Sequence, residues 1–425
     1  MSASSVVVFN DLSPKIIENR GIPFNSPNIS NIFEFLEARR PLAQKVQKEH
    51  PFALMRLQKG AALPLLFQGV EHVTSIGNML IQSKTGLENA AQQIEYLVKE
   101  CHVLPIDFLS IAAAYRETYK DFGVLSGSSS SSSKNVADVK TYNPTFVPHE
   151  KHLMKQFYLH NTLLYYPNQL NIIQHHLSQN KTVLQQKSKS FWENVERDFL
   201  AGHVVVVDRL LSDWAIDLIY DFCLKATIYW EEKIQSTYLG SYSQFGLYYK
   251  MFQMITKEFR NVMPNIIGTS FLRNFWSYKY NNDSNDNHDQ TGVPPHADLA
   301  KVNLNLWITP DEANLNQLTG GMIVYNNYRV HTKEQFATLQ EQRFGTKHFV
   351  DNNDGEITNV PYKRNRMVIF DSSLVHQTSS MHFKRGYKNK RINLTWLFGH
   401  PIWEIKEKEN EKDRERDEKE RRKEL

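Results

Sequence analysis

A chain of 425 residues can bury a substantial core and can hold more than one unit, and its 41% hydrophobic and 12% aromatic content reads as globular, not disordered. The formal net charge of +4 gives no reason to expect a nucleic-acid partner. Two cysteines, Cys101 and Cys223, cannot build a disulfide framework, so a reducing compartment is expected: cytoplasmic, with a nuclear location left open.

No apolar window approaches the length of a membrane span. The first residues lack the basic region and long apolar stretch of a secretory signal, and the final Arg-Lys-Glu-Leu only partly matches an ER-retention tetrapeptide. Residues 1–125 read as a helical region. Thr85 and Glu88 have capping-box spacing, and Leu87, Ala90, Ala91, Ile94, Leu97 and Val98 recur at helical intervals. Pro105 interrupts the pattern; Phe108, Ile111, Tyr115 and Tyr119 resume it until Gly123. The serine run 128–133 has nothing to bury and marks 126–147 as a low-complexity loop or linker. Residues 148–202 form a helical connection, with one helix from His149 to Tyr166 and another opened by a Ser190–Glu193 capping box and closed by Gly202.

The texture changes at His203. Val204 to Val207 suggest a short buried strand, and apolar stripes over Asp213–Tyr229 and Phe245–Val262 suggest helices. Asn274 to Tyr280 are β-prone, and the Asn-rich stretch 281–289 is too polar for a core. Short strands then follow with turn signals between them, which predicts a jelly-roll or cupin-like barrel over 203–403. The fold class expected is therefore α+β: a helical N-terminal half, then a β-barrel with supporting helices. From Glu404 onward nine Lys/Arg and ten Asp/Glu nearly cancel, as in a solvated helix or frayed tail.

The chemistry concentrates around His296 and Asp298. On an extended chain, residues i and i+2 share a face, so an imidazole and a carboxylate project together. His376 lies at the end of another strand-like run, from Met367 to Val375. Two imidazoles and one carboxylate on one face of an iron leave open positions, as in non-haem Fe(II) oxygenases. After Asp298 the chain alternates: Val302, Leu304, Leu306 and Ile308 take one face, and Asn303, Asn305 and Trp307 the other. Arg391 opens a later strand and shares a face with Asn393 and Thr395. Its guanidinium fork suits a carboxylate, and a dicarboxylate chelating iron at its other end would be 2-oxoglutarate.

Residues 203–400 resemble the Fe(II)/2-oxoglutarate-dependent dioxygenase superfamily. They are most similar to a group within it that is often linked to tetratricopeptide repeats. The resemblance is carried by Val-Asn-Leu-Asn-Leu-Trp-Ile-Thr-Pro-Asp-Glu-Ala-Asn-Leu at Val302 to Leu315, with Tyr238 to Tyr242, Trp276 to Tyr280 and Arg391 to Thr395 in order around it. It implies a double-stranded β-helix with iron held by His296, Asp298 and His376 and 2-oxoglutarate held by Arg391. The upstream helices show no such repeat. Asn303, Thr395 and Tyr278 are candidate cofactor-binding residues, with Asn305 and Tyr280 as further pocket candidates; barrel packing is the alternative for all five. Arg385 or Lys390 is the alternative anchor. The activity so implied is hydroxylation of an unidentified substrate, a protein or a small molecule, with release of succinate and carbon dioxide. A catalytically inactive cupin-like barrel acting as an interaction module, or a metal-dependent hydrolase, are the competing readings.

Overall fold

The computed structural model describes residues 84–103, 169–229, 231–232, 238–242, 249–282, 292–341 and 356–401, with isolated positions at 106, 109, 112, 113, 116, 167, 247, 403 and 404. The serine-rich stretch, the helix expected over 149–166, the Asn-rich loop beyond Asn282 and the tail beyond Glu404 lie outside the described residues. Among those residues no helix is long and apolar enough to cross a membrane.

Helix α1 (Lys84–Lys99) buries the periodic positions Ala90, Ala91, Ile94, Leu97 and Val98. Its buried Gln93 donates from Nε2 to Leu224 O (3.2 Å) and Ala226 O (2.9 Å), carbonyls at the C-terminal end of helix α4 (Asp213–Lys225). Carbonyls at a helix end lack intrahelical donors, so this contact docks α1 on a surface that needs one. Helices α2 (Leu170–Ser178) and α3 (Lys189–Leu200) precede the β-rich region. The N-cap of α3 is Ser188, not Ser190. Ser188 has extended backbone and its Oγ accepts from Phe191 N at 3.1 Å, whereas Ser190 is already inside the helix. Only the boundary residue can turn its side chain back onto the exposed N–H groups. Gly202, with φ +88°, follows the helix as expected.

The strands are β1 (Val205–Asp208), β2 (Glu231–Glu232), β3 (Tyr238–Tyr242), β4 (Leu272–Tyr280), β5 (Val302–Trp307), β6 (Met322–Arg329), β7 (Ile357–Val360), β8 (Arg366–Asp371), β9 (Leu374–Thr378) and β10 (Ile392–Phe398). They form a seven-stranded sheet, β1-β8-β5-β10-β4-β3-β2, and a three-stranded sheet, β7-β6-β9, with antiparallel pairing throughout. This antiparallel, sheet-rich core with its helices fits a jelly-roll, cupin-like fold. Strand β1 is an edge strand with Val206 exposed, not the buried strand expected from its valines. The run from Met367 to His376 is two strands. It breaks at Asp371, whose Oδ1 accepts from the N and Oγ of Ser373, and the chain there leaves one sheet for the other.

Alternation divides the large sheet into two faces. Val302, Leu304, Leu306, Met367, Ile369, Ile392, Leu394 and Trp396 join the main core with α4 and helix α5 (Lys250–Val262). Trp307, Val368 and Phe370 point the other way and pack with Met322, Val324 and Leu374 from the small sheet. The cavity described below opens between the sheets.

On the helix side, Lys279 is fully buried. Its Nζ donates to Cys223 O (2.8 Å) and Tyr387 Oη (2.9 Å) and sits 4.1 Å from the Tyr229 ring centroid. Desolvation outweighs these contacts and pulls the ammonium down to about 7. The unfolded chain keeps its proton to about pH 10.4, so between these values the unfolded state binds more protons and stability rises with pH. Relative to Lys279→Met, the natural protein should gain stability from pH 7 to pH 10, by up to about 1.4 kcal/mol per pH unit. Urea unfolding of both proteins across that range measures the difference; parallel curves would show an ammonium that does not lose its proton.

Candidate metal centre

The segment 292–298 runs tightly along β9. A Cβ on Gly292 would lie 2.4 Å from Thr378 Cβ, so only glycine allows the approach. Beyond it, His296 and His376 form an antiparallel bridge, with His296 N donating to His376 O (2.9 Å) and His376 N to His296 O (2.8 Å). Residues paired in this way place their side chains on one face, and the two imidazole centroids are 4.2 Å apart. Asp298 N donates to Ser372 O (3.1 Å), and Ser372 N to Lys301 O (3.1 Å). Both strand connections therefore cross between the sheets side by side, and this crossing brings the carboxylate under the imidazoles.

Ligand atoms of His296, Asp298 and His376 all lie within 4.8 Å of one another and can hold a metal ion. His296 Nε2 is 3.9 Å from Asp298 Oδ1, and His376 Nε2 is 3.5 Å from Asp298 Oδ2. His296 Nδ1 contacts Pro294 O at 2.8 Å and His376 Nδ1 contacts Leu374 O at 3.0 Å. A carbonyl oxygen only accepts, so each Nδ1 carries the hydrogen and each Nε2 presents its lone pair, the tautomer that binds metal.

A polar ladder runs from the carboxylate along the sheet. Asn303 Nδ2 donates to Asp298 Oδ2 (2.6 Å), Asn305 Nδ2 to Asn303 Oδ1 (2.6 Å), and Thr395 Oγ1 to Asn305 Oδ1 (2.8 Å). The register explains the last step, since Thr395 on β10 lies opposite Asn305 on β5. Tyr278, Asn305, Asn393, Thr395 and Arg391 line one cavity with His296, Asp298 and His376. Asn303 is instead turned to the carboxylate, the one candidate cofactor residue not among the lining groups. Tyr278 Oη pairs with Tyr242 Oη at 3.1 Å; burial, then the neighbouring tyrosines, push its phenol far above the ordinary value, so it stays neutral.

Arg391 is the cation of this cavity. Its Nε donates to Gly320 O (2.6 Å) and its Nη2 to Gly321 O (3.3 Å), and its Cζ lies 4.7 Å from the Tyr280 ring centroid and 5.7 Å from that of Trp307. Nη1 is buried without a hydrogen-bond partner. Desolvation pulls the guanidinium below its ordinary value, and no carboxylate contributes against it. The alternative anchors are placed elsewhere: Lys390 Nζ donates to Asn281 Oδ1 (2.9 Å), and neither it nor Arg385 lines the cavity.

No protein-family model matches the sequence, and no curated protein matches it. Among solved structures, the chain is similar to the non-heme alpha ketoglutarate dependent epimerase SnoN from nogalamycin biosynthesis, with a TM-score of 0.36 and 10% identity over 50% of this chain and 84% of the epimerase. It is similar to HygX from Streptomyces hygroscopicus, solved with nickel and 2-oxoglutarate bound, at a TM-score of 0.35 and 9% identity over 49% of this chain and 86% of HygX. A prolyl-4-hydroxylase from Pseudomonas putida aligns at a TM-score of 0.31 and 12% identity over 49% of this chain and 99% of that enzyme.

Sequence reasoning passed over the glycine pair that holds Arg391. Gly320 has φ +81°, and a Cβ on Gly321 would lie 1.9 Å from Val360 O. The adjacent glycines before β6 were the available signal, but the partner of their carbonyls is 70 residues away. Gly321→Ala should therefore destabilise the fold by about 1–3 kcal/mol, the cost of forcing atoms into packed space. Chemical denaturation checks this, and an unchanged midpoint would mean that β7 moves aside freely.

Proposed function

We propose that the chain is an Fe(II)- and 2-oxoglutarate-dependent dioxygenase, with a double-stranded β-helix over residues 203–403. His296, Asp298 and His376 hold the iron, and Arg391 holds the distal carboxylate of 2-oxoglutarate. One observation carries the reading: the His-Asp-His group and a buried guanidinium with an unpartnered Nη1 line the same cavity. A buried cation without an anion is costly, and a dicarboxylate would supply the missing charge and acceptor. The donor set fits as well, since two imidazoles and one carboxylate select a mid-series divalent metal and leave positions for other ligands.

Iron with 2-oxoglutarate supplies oxidative decarboxylation to succinate and carbon dioxide, coupled to oxygen insertion into a substrate C–H bond. The protein's own residues bind and orient. Pro294 O and Leu374 O fix the imidazole tautomers, and the ladder from Thr395 to Asn303 holds Asp298. Tyr280 and Trp307 flank the guanidinium and keep water from it, which strengthens its hold on a carboxylate. Trp276 and Tyr278 form an aromatic wall, their ring centroids 5.9 Å apart, beside the metal ligands.

Anaerobic addition of Fe(II) and 2-oxoglutarate should produce a visible charge-transfer band, which His296→Ala should abolish. Arg391→Met should leave Fe(II) binding intact and weaken 2-oxoglutarate by about 2 kcal/mol or more, roughly thirtyfold, because it leaves a carboxylate buried without its partner. Absence of the band in the natural protein, with iron affinity unchanged in His296→Ala, would defeat the proposal.

A further inference from the structure

We infer, building on the metal-site reading above, that Asn303 is a positioning residue that holds the Asp298 carboxylate toward the two imidazoles, and that Asn305 and Thr395 set the orientation of Asn303. An ionised carboxylate accepts hydrogen bonds and donates none. Asn303 must therefore turn its Nδ2 to Asp298 Oδ2, at 2.6 Å, which points its Oδ1 at Asn305. Asn305 must answer with its own Nδ2, which leaves its Oδ1 to accept from the Thr395 hydroxyl. The charge at one end fixes the sense of every bond, and the amide orientations follow from chemistry rather than choice.

The ladder is buried throughout: Asn303 is 0%, Asn305 8% and Thr395 2% exposed. Water cannot replace a lost partner there, so each link holds the next. The consequence falls on Asp298. Asn303 holds Oδ2, which lies 3.5 Å from His376 Nε2, while Oδ1 lies 3.9 Å from His296 Nε2, so the carboxylate it holds faces both imidazoles. The strand pattern supports this arrangement, because Asn303 and Asn305 occupy the cavity face of β5 while Val302, Leu304 and Leu306 fill the core.

The test is calorimetric titration of the full chain with Co(II), a divalent probe that does not require turnover. Asn303→Leu should weaken Co(II) binding by about 10- to 100-fold, the usual effect of removing a residue that orients a metal ligand. Thr395→Val should cause a smaller loss, and Thr395→Ser, which keeps the hydroxyl, should bind as the natural protein does. The double variant should match Asn303→Leu alone, since Thr395 acts through Asn303; a role in packing alone would add a second loss. Natural affinity in Asn303→Leu, or additive losses in the double variant, overturns the inference. If Asn303→Leu does not fold, equal affinities for Thr395→Val and Thr395→Ser overturn it instead. A natural protein that takes up no Co(II) overturns the metal-site reading itself.

Discussion

Two backbone hydrogen bonds between His296 and His376 join segments that the chain separates by 80 residues. They do more than close a gap. Because the residues are paired directly, the imidazoles project to the same side. Asp298 is tied to the same seam through Ser372 O. The main chain thus brings the three side chains together, and the Nδ1 contacts and Asn303 orient them, so a metal ion bound there would cost little conformational entropy.

The two faces of the large sheet differ in character, and the cavity face mixes polar groups with aromatic rings. Strands β5, β8 and β10 each send alternate residues to a helix-covered core, where Phe252 and Phe259 meet Trp396. The intervening residues face the small sheet. On β5 and β10 near the seam they are amides and a hydroxyl; on β8, Phe370 and Val368 stand opposite Asn303 and Asn305, and the Phe370 ring centroid lies 4.8 Å from that of His376. Asp298 and Arg391 are the charged groups of the lining, and the stretch between them is spanned by neutral donors and acceptors.

The two faces meet again around β4. Tyr278 and Tyr280 point to the cavity while Lys279 points to the end of α4, close to Tyr387, which also touches Tyr96 of α1. The turn 387–389, which leads into Arg391, is consequently packed between α1 and the sheet, and Lys388 pairs with Glu100 at 2.7 Å. Helix α1 therefore braces the approach to Arg391 from behind.

Much of this was legible from residue order alone. The i, i+2 spacing of His296 and Asp298 and the alternation over Val302 to Ile308 are local properties of an extended chain, and each face received the residues the pattern assigned. Arg391, Asn393 and Thr395 share a face for the same reason. Periodicity likewise exposed the buried stripe of α1. Other features could not be read this way. That Met367 to His376 is two strands in two sheets turns on an Asp371–Ser373 hydrogen-bond pattern between two apolar runs, which spacing alone reads as one strand. The N-cap at Ser188 rather than Ser190 is a matter of one residue's backbone dihedrals. Asn303 facing Asp298, and Gly320 and Gly321 facing Arg391, are pairings made by the fold. Spacing along a strand tells which side a residue takes; which partner waits there is settled only when strands distant in sequence come into register.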